Sequence, residues 1–199
     1  ANWVFISGSD KEHRHLLDLI WSAESLRFGG VPDERIHIFQ DYPDYLPHAT
    51  PFALEKRIFP LKDLAESCPK IESASVCFFV FSGHGSYEGI HVDGTKISPF
   101  VLLNVLRNMK GLERGFLILG QCFSGIFDSL HVRAKPAIGL LGATKLHYSF
   151  SDAFPLTHQG IVLQDKKGEQ VQPWAANVFL MHFFNWMRKP IDIDGDDKI

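Results

Sequence analysis

Apolar residues fall into two spacings along this chain: short unbroken runs, and longer stretches at helical period. The unbroken runs are NWVFISGS (2–9), SASVCFFVFSGHG (73–85), GFLILGQC (115–122) and AIGLLGAT (137–144). Each is bounded by glycine or serine, which predicts buried strands. RIHIFQ (35–40), after the turn VPDE, adds a fifth. The stretch KEHRHLLDLIWSAESLRFGG (11–30) instead places Leu16, Leu19, Ile20, Ala23 and Leu26 at helical spacing and stops at Gly29-Gly30. SPFVLLNVLRNMKG (98–111) repeats that pattern, with a Ser-Pro start and a glycine stop. A further helix is expected over 53–66. QPWAANVFLMHFFNWMRK (172–189) reads as a closing amphipathic helix whose Trp174, Phe179, Phe183, Phe184 and Trp186 serve as core or packing face. GIHVDGTKI (89–97) reads as a small hairpin around Asp93-Gly94. Residues 41–52 read as loop, and 145–172 as irregular with a polar hairpin near 165–170.

Strands that alternate with helices predict an α/β fold, with a mostly parallel central sheet flanked by helices in three layers. With 199 residues, no repeats and no clear linker, one domain over 1–199 is the economical reading. The net charge of −3 carries no basic footprint for nucleic acid. No apolar run is long enough to suggest a membrane partner. Cys68, Cys77 and Cys122 are odd in number and lack CxxC spacing. That argues against a disulfide framework or a zinc site and fits a reducing, cytoplasmic setting. The chain begins at Ala1 without Met, so a trimmed targeting segment is compatible with it.

In open α/β sheets, ligands sit beyond the carboxyl ends of the strands. Two runs end there in useful chemistry. One delivers His84 within Ser-Gly-His-Gly, the other Cys122 followed by Ser124-Gly125. A strand-helix-strand unit brings both to one sheet edge. A thiolate is a good nucleophile, and a nearby imidazole supplies base and then acid. The N–H groups of Gly85 and Cys122 would serve as an oxyanion hole. Cys68 and Cys77 read as buried and inert. The conjunction of two consecutive strands, one ending in His and one in Cys, is what favours catalysis over packing.

FSGHG followed by GQCFSG resembles the histidine and cysteine motifs of the caspase-like cysteine peptidases. EHRHLLD together with GGVPDERIHIFQDYP resembles the legumain and GPI-transamidase branch of that group. The resemblance covers most of residues 3–150 and implies a caspase–legumain-like sandwich. It implies a cysteine endopeptidase working through an acyl-thioester, with His84 as base, Cys122 as nucleophile and Gly85 as oxyanion donor. It places Arg14 and His15 in the pocket for the residue before the scissile bond, with Ser149 near a pocket serine and Gln121 on the pocket wall. A protein or peptide is the implied substrate, with a regulatory protein partner compatible and no cofactor or metal required.

The chain also departs from the pattern. Gly120 stands where legumain-like enzymes carry a pocket glutamate, and Glu12 where they carry asparagine two residues before Arg14-His15. Two pockets stay open. Arg14 would favour Asp or Asn through a guanidinium fork, whereas Asp10 or Asp152 reaching the pocket would favour Arg or Lys. A transpeptidase or ligase using the same thioester, and a silent interaction module on the same fold, are the alternatives. His13, Arg14 and His15 lack the i, i+4 spacing of a zinc pair. Phe123 and Phe127 read equally as groove or core. LQDKKGEQVQP (163–173) reads as an exposed hairpin, or as a self-cleavage loop. DIDGDDKI (192–199) reads as a solvated acidic tail, or as the start of a truncated calcium loop or further domain beginning near 191.

Overall fold

A computed structural model describes residues 1–8, 11–41, 58–92, 94–130, 135–146, 153–156, 162–165, 168–171, 174–192 and 195. In chain order, strand β1 (Asn2–Ser7) leads into helix α1 (His13–Phe28), then β2 (Ile36–Phe39) and the short β3 (Ile58–Phe59). Helix α2 (Leu64–Ser67) precedes β4 (Val76–Ser82). A small meander follows: β5 (Gly85–Ser86), β6 (Gly89–Val92) and β7 (Thr95–Ile97). Helix α3 (Pro99–Asn108), β8 (Arg114–Leu119) and β9 (Ala137–Gly142) complete the central unit. Then come β10 (Ala153–Leu156), the hairpin β11 (Val162–Asp165) and β12 (Gly168–Val171), β13 (Trp174–Asn177) and helix α4 (Val178–Arg188).

Six strands form one sheet in the order β3-β2-β1-β4-β8-β9. Every pair in it is parallel. Side chains of successive strand residues point to opposite faces, and the packing follows that alternation. On one face Val4, Ile6, Phe79, Phe81, Leu117 and Leu119 meet Leu102 and Leu106 of α3. On the other, Trp3, Phe5, Val80 and Ile118 meet Leu16, Leu19 and Ile20 of α1 and Leu180 and Phe184 of α4. Helices thus cover both faces, and the expected α/β sandwich with a parallel sheet is what forms.

Two expected helices are corrected. The helix over 53–66 is reduced, among the described residues, to the four residues of α2, and Ile58–Phe59 pairs with β2 as an edge strand. Pro60 and Pro69 punctuate this segment, and a proline inside a helix costs it a hydrogen bond and clashes with the preceding turn. The closing helix starts at Val178, not near 172. Trp174–Asn177 pairs antiparallel with Ala153–Leu156, and Asn177 caps α4 by accepting from the Leu180 N–H at 3.0 Å. Trp174 therefore belongs to a strand. Within α4, Phe184 is buried and Phe179 and Phe183 pack beside it, while Trp186 is exposed. Phe127 lies in the core, which decides it for packing, and Phe123 packs against the core while staying partly exposed. The hairpins at 89–97 and 162–171 form. No described helix is long and apolar enough to cross a membrane.

Candidate functional site

The strand order reverses direction between β1 and β4: the chain lays β2 and β3 on one side of β1, then β4, β8 and β9 on the other. Such a switch point opens a crevice beyond the strands' carboxyl ends. Phe81 of β4 pairs with Leu119 of β8. His84 and Cys122 each lie three residues beyond that pair, so the register delivers both to the same edge. The turns are tied to the sheet by Gly8 N–H to Ser82 O and Gly120 N–H to Phe81 O, both at 2.9 Å. They touch so closely that a Cβ on Gly85 would lie 2.3 Å from the Cys122 carbonyl oxygen and 2.5 Å from Gln121 Cγ. Glycine is what this approach demands.

The backbone N–H of Gly85 has a defined direction. His91 N–H donates to His84 O at 2.9 Å, so 84–91 is the bonded pair of β5–β6. The next pair, Gly85 with Ile90, is then of the kind without mutual hydrogen bonds. The Gly85 N–H points away from β6.

The turn carrying Cys122 is braced from the other side. Phe123 adopts φ 55°, a left-handed conformation that costs a bulky residue energy and persists only where its surroundings enforce it. Here they do. Ser124 N–H donates to Thr144 Oγ1 at 2.9 Å, Ser124 Oγ–H to Thr144 O at 3.0 Å, and Thr144 N–H to Ser124 Oγ at 2.9 Å. Cys122 remains partly exposed, whereas Cys68 and Cys77 are buried. Burial pushes the Cys68 thiol up to about 12 and Cys77 well above its ordinary range.

His84 does not stand alone. Its Nε2 lies 2.5 Å from Glu12 Oε1. An ionised carboxylate only accepts, so Nε2 carries a proton and donates it to Glu12. Glu12 also accepts from Arg14 Nε at 2.8 Å through Oε2. Desolvation works against the charge, but the bonds from Arg14 and His84 outweigh it and hold the Glu12 carboxyl at about 2. Beneath this pair lies a buried chain. Ser82 Oγ–H donates to Asp18 Oδ2 at 2.5 Å, and Asp18 Oδ1 accepts the Asn177 N–H at 2.9 Å. His15 Nδ1 sits 3.1 Å from Ser82 Oγ, and its ring meets His84 edge-on with centroids 5.2 Å apart. Burial first, and then the Arg14 cation, push His15 down to about 3 against the pull of Glu12.

Of the residues expected to line a substrate pocket, Arg14 is half-buried and engaged with Glu12. His15 is only 3% exposed and faces Ser82, so it supports the site from below. Gln121 is 1% exposed and packs beneath Gly85; neither amide atom has a hydrogen-bond partner among the described residues. Ser149, Asp152 and Asp10 lie outside the described residues. Gly120 has a structural reason to be glycine. A Cβ there would meet Leu180 Cδ1 at 2.9 Å and Asn177 Nδ2 at 3.1 Å, and its carbonyl accepts from Asn177 Nδ2 at 2.7 Å. A glutamate at this position would collide with the start of α4.

In the sequence Glu12 stands out only as a departure from the family pattern, and nothing marks Asp18, Ser82 or Asn177. A carboxylate one residue before the first helix of the sheet was the available signal for Glu12. The sequence points to no metal; in the structure Glu12, His15 and His84 each present a ligand atom within 4.8 Å of the others. The fold is α/β with a parallel central sheet; His84 and Cys122 follow β4 and β8 at its carboxyl edge, and Glu12 pairs with His84. The chain matches no family model and no curated protein.

Proposed function

We propose that this protein is a cysteine peptidase, with Cys122 as nucleophile, His84 as general base and acid, and Glu12 as the group that orients His84. The observation that carries the reading is the shared register of β4 and β8, which sets the two turns edge to edge at the crevice. Glu12 holds the Nε2–H of His84, which leaves Nδ1 to take the thiol proton and later return it to the leaving amine. The Cys122 sulfur attacks the scissile carbonyl carbon, and the carbonyl oxygen becomes an oxyanion held by backbone N–H groups, with Gly85 a donor that β6 leaves free. Collapse expels the amine and forms a thioester. Water, activated by the same imidazole, then releases the acid.

The test is incubation of the protein with a mixed peptide library, cleavage sites being read by mass spectrometry beside Cys122→Ala. Cuts that vanish in Cys122→Ala support the reading; cuts that persist overturn it. Residues before the cuts decide the pocket: Asp or Asn would favour Arg14, and Arg or Lys the acidic alternatives Asp10 and Asp152. Peptide joining in place of hydrolysis would mark a transpeptidase. Intact peptides throughout would favour a silent interaction module.

A further inference from the structure

The hydroxyl of Ser82 fixes the state of His15. Its one proton goes to the acceptor-only Asp18 carboxylate. The Ser82 oxygen, 3.1 Å from His15 Nδ1, must therefore accept. His15 is then the Nδ1–H tautomer, and Nε2 carries a bare lone pair. That nitrogen is buried and has no hydrogen-bond partner. It faces the Glu12 carboxylate, with Oε2 3.7 Å away. The buried Nε2 lone pair thus looks toward a carboxylate whose Oε2 is held by Arg14 Nε at 2.8 Å. On the other side of the same carboxylate stands His84 Nε2.

We propose that this cluster is a binding site for a divalent transition-metal cation of the zinc type. The ligands are Glu12, His15 Nε2 and His84 Nε2. Two imidazoles and a carboxylate, with a fourth position open, form an ordinary zinc donor set. Tetrahedral bonds of about 2.0–2.1 Å put ligand atoms roughly 3.3–3.4 Å apart. From a spread of up to 4.8 Å, His15 Nε2 and the other two atoms must draw in, while His84 Nε2 and Glu12 Oε1, now 2.5 Å apart, must part by a little under ~1 Å. His84 is half-exposed and free to adjust, while His15 is fixed. The outer shell is already built. His15 donates Nδ1–H to Ser82, which donates to Asp18, the pattern that locks a ligating histidine in its tautomer. Arg14 is the competing cation. It must release Oε2 or keep it while the metal takes Oε1.

Binding has a defined consequence for the base. A metal on Nε2 of His84 requires that nitrogen unprotonated. The single proton of the neutral ring then sits on Nδ1, and the lone pair meant for the Cys122 thiol is gone. The cation therefore silences the site reversibly, and a chelator restores it. The binding stands on geometry alone; the silencing rests on the peptidase reading.

The experiment uses full-length Cys122→Ala, which removes the thiol as an alternative ligand. Zn2+ is titrated against a chromophoric chelator, and Co2+ is followed by its visible ligand-field bands. One equivalent of Zn2+ and an intense tetrahedral Co2+ spectrum are expected. Glu12→Gln and His84→Ala, both at half-exposed positions, should each weaken binding at least tenfold. Stoichiometry above one with unchanged affinity in both variants, or no competition at micromolar Zn2+, would overturn the site. In the unsubstituted protein Zn2+ should abolish peptide cleavage and EDTA restore it. Zinc-dependent hydrolysis that survives Cys122→Ala would leave the site standing but overturn both the silencing and the cysteine mechanism.

Discussion

His15 is a buried imidazole that the fold keeps neutral, and this has a measurable cost in acid. Its pKa in the native protein is about 3, against 6.5 for the free side chain. Between those values the unfolded chain binds a proton that the native state refuses, so stability is complete above 6.5 and is lost as pH falls toward 3. Glu12, at about 2 against 4.5, has the same sign in the window from 4.5 down to 2, because its native carboxylate stays charged while the unfolded one protonates. The slope from the buried His15 approaches about 1.4 kcal/mol per pH unit, whereas Glu12 is 40% exposed and solvent screening reduces its share. Urea denaturation from pH 7.5 to 4.5 should show stability falling below about pH 6.5, and His15→Asn should flatten that fall. An unchanged slope in the variant would show that His15 is not the group responsible. At this scale the sequence was only half legible. His84 and Cys122 stand out because glycines flank strand ends. Glu12 and Ser82 do not, since their partners lie 72 and 64 residues away in the chain.

Asn177 shows how an element is placed by groups that its own pattern does not reveal. The apolar residues of Trp174–Asn177 continue the periodicity of α4, so helix and strand compete for them. The antiparallel partner at Ala153–Leu156 decides for strand, and Asn177 then does three things. It caps α4 through Oδ1, gives its N–H to Asp18, and donates Nδ2–H to Gly120 two residues before Cys122. One side chain thereby joins the last helix to the turn that carries Cys122. Asn177→Ala loses the cap and strands the Gly120 carbonyl. A cap contributes about 0.5–2 kcal/mol and an orphaned buried acceptor about 1–3 kcal/mol, so a loss of roughly 2–3 kcal/mol is expected. The urea midpoint should fall with an unchanged m-value. A loss below about 0.5 kcal/mol would mean that α4 docks through Leu180 and Phe184 alone. The strands β1, β4 and β8 were legible in the sequence for the opposite reason: covered on both faces, they are continuously apolar over 3–6, 76–81 and 116–119 and need no partner to be read.

At the scale of the whole molecule, the three cysteines sample different depths of one fold. Cys122 lies at the crevice, partly exposed. Cys77 sits on the central strand β4, and Cys68 beyond α2, where its thiol reaches Met109 Sδ at 3.9 Å. Both belong to the core on the α3 face of the sheet. A thiol reacts as its thiolate, so burial protects Cys68 and Cys77 twice, by access and by a raised pKa. A brief pulse of iodoacetamide on the native protein should therefore label Cys122 alone. Over longer exposure Cys68 and Cys77 should label together, at the rate at which the core opens. Their parallel labelling follows from the shared core, because neither thiol is reached without separating α3 from the sheet. Labelling of Cys68 well ahead of Cys77 would instead show that the edge formed by β3 and α2 opens by itself, as a unit of lower stability than the strands around the site. The two prolines that shorten α2 make that edge the place where such an opening would begin.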